Sequence, residues 1–330
     1  MIAISKLEQT KNKFTVRGYV VKPPEENHYE GTMEKGKNAG KTYRIVNIDV
    51  KTSHNNIVRV GLFANEKDFV YPHNPQTKHT EKIPFEERHS PPEGYRVFGT
   101  NVNITKRTTM DEYDAVPHIL ENIYQGDEVF VSGEIQWRNF KSKNTNEMIV
   151  VPNFQIKSIS KNEGKLDFDD ENFEEISSFS QEIVFVDCFG NQNKDKLIVN
   201  AHVIDFAGNF LTPQFVINLT NNNMNKLAKV FSKFNFGDFV NVEGLIVRRV
   251  EEAEAEDEDD DWPGEKPAGM RTGKNFINEM AITYADRSTY EKKKYSEDDF
   301  VITEGEVAQE SNPFDEDSPF EEGDDGDLPF

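Results

Sequence analysis

Cysteine is almost absent from this chain. The single copy, Cys188, leaves no partner for an intramolecular disulfide and no thiolate cluster for zinc. That fits a reducing compartment, so a cytoplasmic location is expected. No apolar run approaches the roughly 20 residues a membrane helix requires. Met1 to Thr10 carry no signal-peptide core, so no membrane role is expected. The glycine patterns that cradle phosphates are missing as well: neither Gly-x-x-x-x-Gly-Lys-Ser/Thr nor Gly-x-Gly-x-x-Gly occurs. The seven His are scattered. His73, His79 and His89 share one segment, but at a spacing poor for helical metal ligation. A non-enzyme with no metal and no cofactor is the expectation. A nuclease would need acids set on structured strands, a pattern the sequence leaves open.

Positive charge is the other scarcity, and it is local. The chain of 330 residues carries a net charge of −22. Residues 1–165 hold 24 Lys+Arg against 21 Asp+Glu, whereas residues 166–330 hold 14 against 39. Phosphate affinity follows local potential, so the near-neutral first half can still offer a basic groove.

A repeat organises the rest. Gly126-Asp127-Glu128-Val129-Phe130-Val131-Ser132-Gly133-Glu134-Ile135 recurs as Gly237-Asp238-Phe239-Val240-Asn241-Val242-Glu243-Gly244-Leu245-Ile246. Alternation marks each copy as a half-buried strand entered by a Gly-Asp turn. The second Gly sits where a bend lets a small barrel close. A helix is expected before each copy, at Asp114–Tyr124 and at Asn221–Phe234. The latter places Met224, Leu227, Ala228, Phe231 and Phe234 on one face behind an Asn cap. Strands are expected at 14–21, 43–50, 57–63 and 148–159, and again at 183–188, 197–204, 214–219 and 276–284. Three strands, a helix and two strands is the order of the OB-fold, a five-stranded Greek-key barrel.

The expected fold is therefore mainly β, with two tandem OB-fold barrels. The first spans 1–165 with an insertion at about 64–103, where 95–104 reads as an added strand. An acidic linker follows at 166–180, then the second barrel at 181–290 with an acidic loop at 251–261. Residues 291–330 read as a disordered acidic tail.

Candidate binding residues cluster in the first half. Single-strand binding needs cations for phosphates and flat rings for bases. Trp137-Arg138-Asn139-Phe140-Lys141-Ser142-Lys143 opens the loop between the last two strands and interleaves both. Trp137 and Phe140 are read as stacking rings, with a core position the alternative for Trp137. Arg138, Lys141 and Lys143 supply charge. Lys41, Tyr43, Arg44 and Arg59 lie on or beside the second and third strands, with Tyr43 facing outward and Arg44 at the mouth of the core. Lys106 and Arg107 could rim the same groove, and Tyr71 in the insertion is a further ring. In the second half an acid run of nine carboxylates in eleven residues, Glu251–Asp261, stands where the first half has its basic loop. Two readings stay open there: docking or self-association, or an acidic loop that occupies a basic groove until DNA displaces it.

From Glu304 onward there is no Lys or Arg. Pro313-Phe314 and Pro319-Phe320 precede the ending Asp324-Asp325-Gly326-Asp327-Leu328-Pro329-Phe330. An aromatic plug on an acidic string, ending at a carboxylate, suits a basic-rimmed pocket on another protein. This ending closely resembles the acidic tip of bacterial and phage single-stranded DNA-binding proteins. The resemblance implies sequence-tolerant coating of single strands in replication, recombination or repair, in a bacterial or phage-infected cell. It also implies recruitment of replication or recombination proteins through Asp324, Asp325, Asp327, Leu328, Pro329 and Phe330. Bacterial members have one short barrel per chain and commonly assemble as four; two barrels here imply a monomer or homodimer. An OB-fold adaptor that binds no nucleic acid is the alternative, supported by the acidic balance.

Overall fold

The computed structural model describes residues 7–36, 38–141, 148–164, 166–252 and 274–301. The chain is mainly β. The first half opens with β1 (Asn12–Val20), β2 (His28–Thr32), β3 (Thr42–Lys51) and β4 (Ile57–Asn65). An excursion carries β5 (Phe69–Val70), β6 (Ile83–Pro84), β7 (Thr100–Asn103) and β8 (Arg107–Met110). Helix α1 (Glu112–Asn122) leads to β9 (Glu128–Lys141) and β10 (Met148–Asn162). The second half runs through β11 (Ser177–Gly190), β12 (Lys196–Ile204), β13 (Phe210–Leu211), β14 (Gln214–Asn218), α2 (Asn222–Phe231), β15 (Phe239–Glu252) and β16 (Lys274–Glu291).

Pairing closes a ring in each half. β1 pairs with β3, β3 with β4, β4 in parallel with β10, β10 with β9, and β9 back with β1. The second ring repeats this as β11, β12, β14, β16 and β15, again with one parallel step, β14 to β16. In both, the helix joins the third ring strand to the fourth. Gly133 lies opposite Phe14, and Gly244 opposite Phe179. A Cβ at either glycine would run into a carbonyl, that of Gln155 or of Ala281. The second Gly of the repeated motif is thus the point where two strands approach too closely for a side chain.

Each helix is capped as its sequence dictates. Asp111 accepts from the Tyr113 N–H (3.0 Å), so α1 starts before the expected Asp114. Asn221 accepts from the N–H groups of Asn223 (2.9 Å) and Met224 (3.1 Å) at the start of α2. One apolar core runs through both rings. It includes Phe14, Ile48, Val60, Leu62, Ile119 and Ile156 from the first, and Ile183, Phe215, Ile217 and Phe231 from the second.

The rings are fused about a local two-fold. β1 and β11 pair antiparallel with Phe14 opposite Phe179, and these two residues occupy the same place in their rings. The two long hairpins reach across in exchange. From β9, the Trp137 ring packs edgewise on Phe215 of β14 (5.5 Å), and its N–H donates to Gln181 Oε1 (3.0 Å). From β15, the Ile246 carbonyl and the Arg248 N–H meet the Asn56 side chain at 3.0 and 2.7 Å. Asn56 is 2% exposed, and the two N–H groups of its amide are shared between the Ile246 carbonyl and the oxygens of Thr52, Glu175 and Ser177, 2.7–3.2 Å away.

Three expectations need correction. β11 begins at Ser177, inside the span read as linker, because pairing with β1 extends the strand backward. The added strand at 95–104 is shorter and belongs to a hairpin, β7 with β8, that flanks β10 in parallel. The tail does not begin at 291: a short 3-10 turn, Glu297–Phe300, places Phe300 (8% exposed) in a box made by His202, Phe210, Phe236 and Tyr295. Burying one Phe there contributes about 2 kcal/mol. Residues 253–273 and 302–330 lie outside the described residues, and with them most of the acidic loop and the whole acidic tip.

Candidate nucleic-acid interface

Strand alternation builds an outer face on β3 and β4. Val46, Ile48 and Val50 face the core, as do Val58, Val60 and Leu62. Tyr43, Ile45, Asn47 and Asp49 therefore take the opposite side of the sheet, together with Arg59, Gly61, Phe63 and Asn65. There Ile45, Asn47 and Asp49 are themselves buried, Tyr43, Phe63 and Asn65 are half-buried, and Arg59 is exposed. The Tyr43 ring stacks on Phe63 (6.1 Å between centroids, 28° between planes). It lies across Gly31 of β2, where any Cβ would collide with it. Asp49 grips Arg59 through two hydrogen bonds (2.7 and 3.0 Å). The Tyr43 and Asp49 ends of this face are about 20 Å apart at ~3.3 Å per residue. Lys41 stands beside the Tyr43 end, in an ion pair with Asp68 (3.0 Å).

Arg44 is not on this face. Alternation sends it the other way, where its guanidinium sits 4.0 Å over the Tyr113 ring and bonds to Glu30 (3.0 Å). It sits at the rim between β3 and α1. Lys106 and Arg107 are exposed at the turn between β7 and β8, on a hairpin separated from β4 by β10. Three of the cations grouped from the sequence, Lys41, Arg44 and Arg59, are thus each held by a carboxylate of this chain, which lowers the local positive potential.

The hairpin of β9 and β10 supplies a second element. β10 runs parallel to β4, so the hairpin tip lies beyond the Arg59 end of the outer face. Trp137 does not stand free as a stacking ring. Its indole packs on Phe215 and its N–H is already bonded, so it serves the junction between rings. Arg138 and Phe140 are half-buried, and Lys141 is exposed. Phe140 lies opposite Ile149, which is 42% exposed, and Met148 opposite Lys141 is 62% exposed. Lys143 lies outside the described residues. The structure therefore brings Tyr43, Lys41 and Phe63 together at one end, and places Arg59 toward the hairpin with Arg138, Phe140 and Lys141 at the other.

Sequence reading passed over Phe63 and Ile149. Phe63 could have been found: its neighbours Leu62 and Val60 take the core parity, which leaves Phe63 outward. The second ring has its own outer row, Phe189, Ile198 and Val216, set side by side by register. Phe189 is 47% exposed. Among the described residues no group of three or more His, Cys, Asp or Glu is placed to hold a metal, and no helix is long and apolar enough to cross a membrane.

The fold and face define a β protein of two fused rings, with aromatic side chains and cations on an outer sheet surface. This chain belongs to the YorF family, whose model matches residues 11–313. No curated protein matches it by sequence. Among solved structures it is similar to the single-stranded DNA binding protein from Thermus aquaticus. A deletion mutant is 11% identical, with 84% of this chain and 95% of that one covered and a TM-score of 0.40. The wild-type form is 11% identical, with 85% and 94% covered and a TM-score of 0.39. A likeness this loose says nothing about function.

Proposed function

We propose that this chain binds single-stranded DNA without sequence preference, through the outer face of β3 and β4 and the hairpin of β9 and β10. Each ring is read as an OB-fold barrel, from the strand order and the helix between the third and fourth ring strands. The carrying observation is the Tyr43–Phe63 stack on that face, with Lys41 at one end and Arg59, Arg138 and Lys141 toward the other. Flat rings accept any base, and cations track the phosphates. Binding requires Lys41 and Arg59 to exchange Asp68 and Asp49 for phosphates, so affinity falls steeply with salt. The acidic tip, Asp324 to Phe330, serves as the handle for replication or recombination proteins. The protein acts without catalysis, as a coat on exposed strands in the cytoplasm of a bacterial or phage-infected cell.

A second reading, an adaptor that docks proteins only, draws on the outer row Phe189, Ile198 and Val216 and on the acidic second half. Titration with a single strand and with duplex of the same sequence, at two salt concentrations, separates them. Tight, salt-sensitive binding of the single strand supports the proposal. No binding at low salt leaves the adaptor. Tyr43→Ala and Phe140→Ala should each cost ~1–3 kcal/mol of strand affinity. Deleting Ser311–Phe330 should leave strand binding intact or tighter while abolishing partner recruitment; a strong loss of strand binding would refute that division of labour.

A further inference from the structure

The excursion after β4 carries a row of rings that the core does not use. β5 covers Phe69 and Val70, and His73 bridges to Thr80 and Arg96. Between them burial alternates, with Val70, Pro72 and Asn74 buried, Phe69 and Tyr71 exposed and His73 half-buried. Phe69 is 41% and Tyr71 54% exposed. Lys82 places its ammonium 3.7 Å over the Phe69 ring. At the other end, His73 stacks on Phe98 (5.6 Å, 24°), and Phe98 is 64% exposed. Backbone bonds between His73 and Arg96 in both directions (2.8 and 2.9 Å) fix that pair. Arg96, two residues before Phe98, is exposed beside it.

Burial does not account for this pattern. Val70, Ile83 and Phe85 already give the excursion a core of its own with Ala64 and Tyr113. The outward rings contribute nothing to it and leave apolar surface in water. Successive outward rings along an extended chain are about 6.6 Å apart. That is close to two layers of the ~3.4 Å stacking repeat of a nucleic-acid strand, so a base fits between neighbours. The row is also continuous with the face described above. Asp68, which pairs with Lys41 beside Tyr43, is the residue before Phe69.

We infer that Phe69, Tyr71, His73 and Phe98 form a stacking track that extends the path of a single strand beyond Tyr43 and Phe63. The inference rests on the proposed single-strand function and adds a second, separate length of contact. Carboxylates in the excursion, Glu81, Glu86, Glu87 and Glu93 among them, offset Lys78, Lys82 and Arg96. The track therefore binds by stacking and adds little salt dependence.

The test uses full-length protein and oligothymidylates of about 8 and about 30 nucleotides, lengths that bracket the ~4–16 nucleotides one such barrel covers. The double variant Tyr71→Ala/Phe98→Ala should bind the long strand about tenfold or more weakly, leave the short strand unchanged, and keep the wild-type salt slope. Tyr71→Phe/Phe98→Tyr, which keeps both rings, should bind as wild type. Wild-type affinity of the alanine variant for the long strand would overturn the track while leaving the proposed function standing. Equal loss on both lengths would also overturn it, by placing these rings in the primary site. Self-association of the wild type that disappears in the variant would assign the row to a second copy instead. If the wild type binds neither oligonucleotide, the function fails and the track with it.

Discussion

The two rings share a path for the backbone and almost nothing on the surface. Phe14 and Phe179, Gly133 and Gly244, and Ile135 and Ile246 occupy matching places. Where the first ring's hairpin carries Trp137 into the junction, the second carries Arg248. The first outer face holds Tyr43 and Phe63 with cations nearby, whereas the second holds Phe189, Ile198 and Val216. Only the first ring has the long excursion between its third strand and its helix. Closure of the ring is a steric demand on a few positions, and it leaves outward positions free to diverge. Shared architecture here says little about shared chemistry.

The sharpest way to break the comparison is at the ring glycines. Gly133→Ala and Gly244→Ala should each destabilise by about 3 kcal/mol or more in denaturant unfolding, since the added methyl meets a carbonyl that cannot yield. If one variant is tolerated, the two closures are not equivalent. Next in size is Asn56→Ala, which strips partners from Glu175, Ser177, Ile246 and Arg248 at the junction. About 2–3 kcal/mol is expected. Loss of two-state behaviour would show that the rings can unfold separately.

At neutral pH the smallest effect is expected at His202, which belongs to the second ring alone, and it grows only in acid. It sits among Phe210, Phe236 and Phe300, and burial pushes its pKa down from 6.5 to about 4. Between those values the unfolded chain holds a proton that the folded chain refuses. Stability therefore falls as pH drops from about 6.5 to about 4, and this contribution levels off below. His202→Phe should flatten that part of the stability profile, by up to about 3 kcal/mol at about pH 4. An unchanged slope would mean that carboxylates alone set the acid limit.

Much of the fold was legible because it rests on alternation and caps. The Gly-Asp strands, the apolar face of α2 with Met224, Leu227 and Phe231, and the Asn221 cap are local signals that tertiary packing had no reason to override. The junction was not legible. Nothing in the stretch read as linker marks Ser177 as the start of a strand, because its partner β1 lies more than 150 residues away. Trp137 misled for the same reason: its surroundings in sequence are polar, while its surroundings in space are Phe215 and Gln181. Site residues were legible by type more than by placement. Alternation did put Tyr43 and Arg44 on opposite sides of the sheet, where the structure has them, but not their neighbours in space, Phe63 for one and Tyr113 for the other. The carboxylates that hold Lys41, Arg44 and Arg59 come from elsewhere in the chain.

The pairing of β1 with β11 has a consequence for dilute solution. Two separate barrels joined along an edge strand would come apart as their concentration fell, each exposing a row of unpaired N–H and C=O groups. Here the partner strand arrives on the same polypeptide, at an effective concentration that the linker fixes. The edge stays covered however few molecules are present, and each new chain completes this interface by folding, with no search for a second subunit.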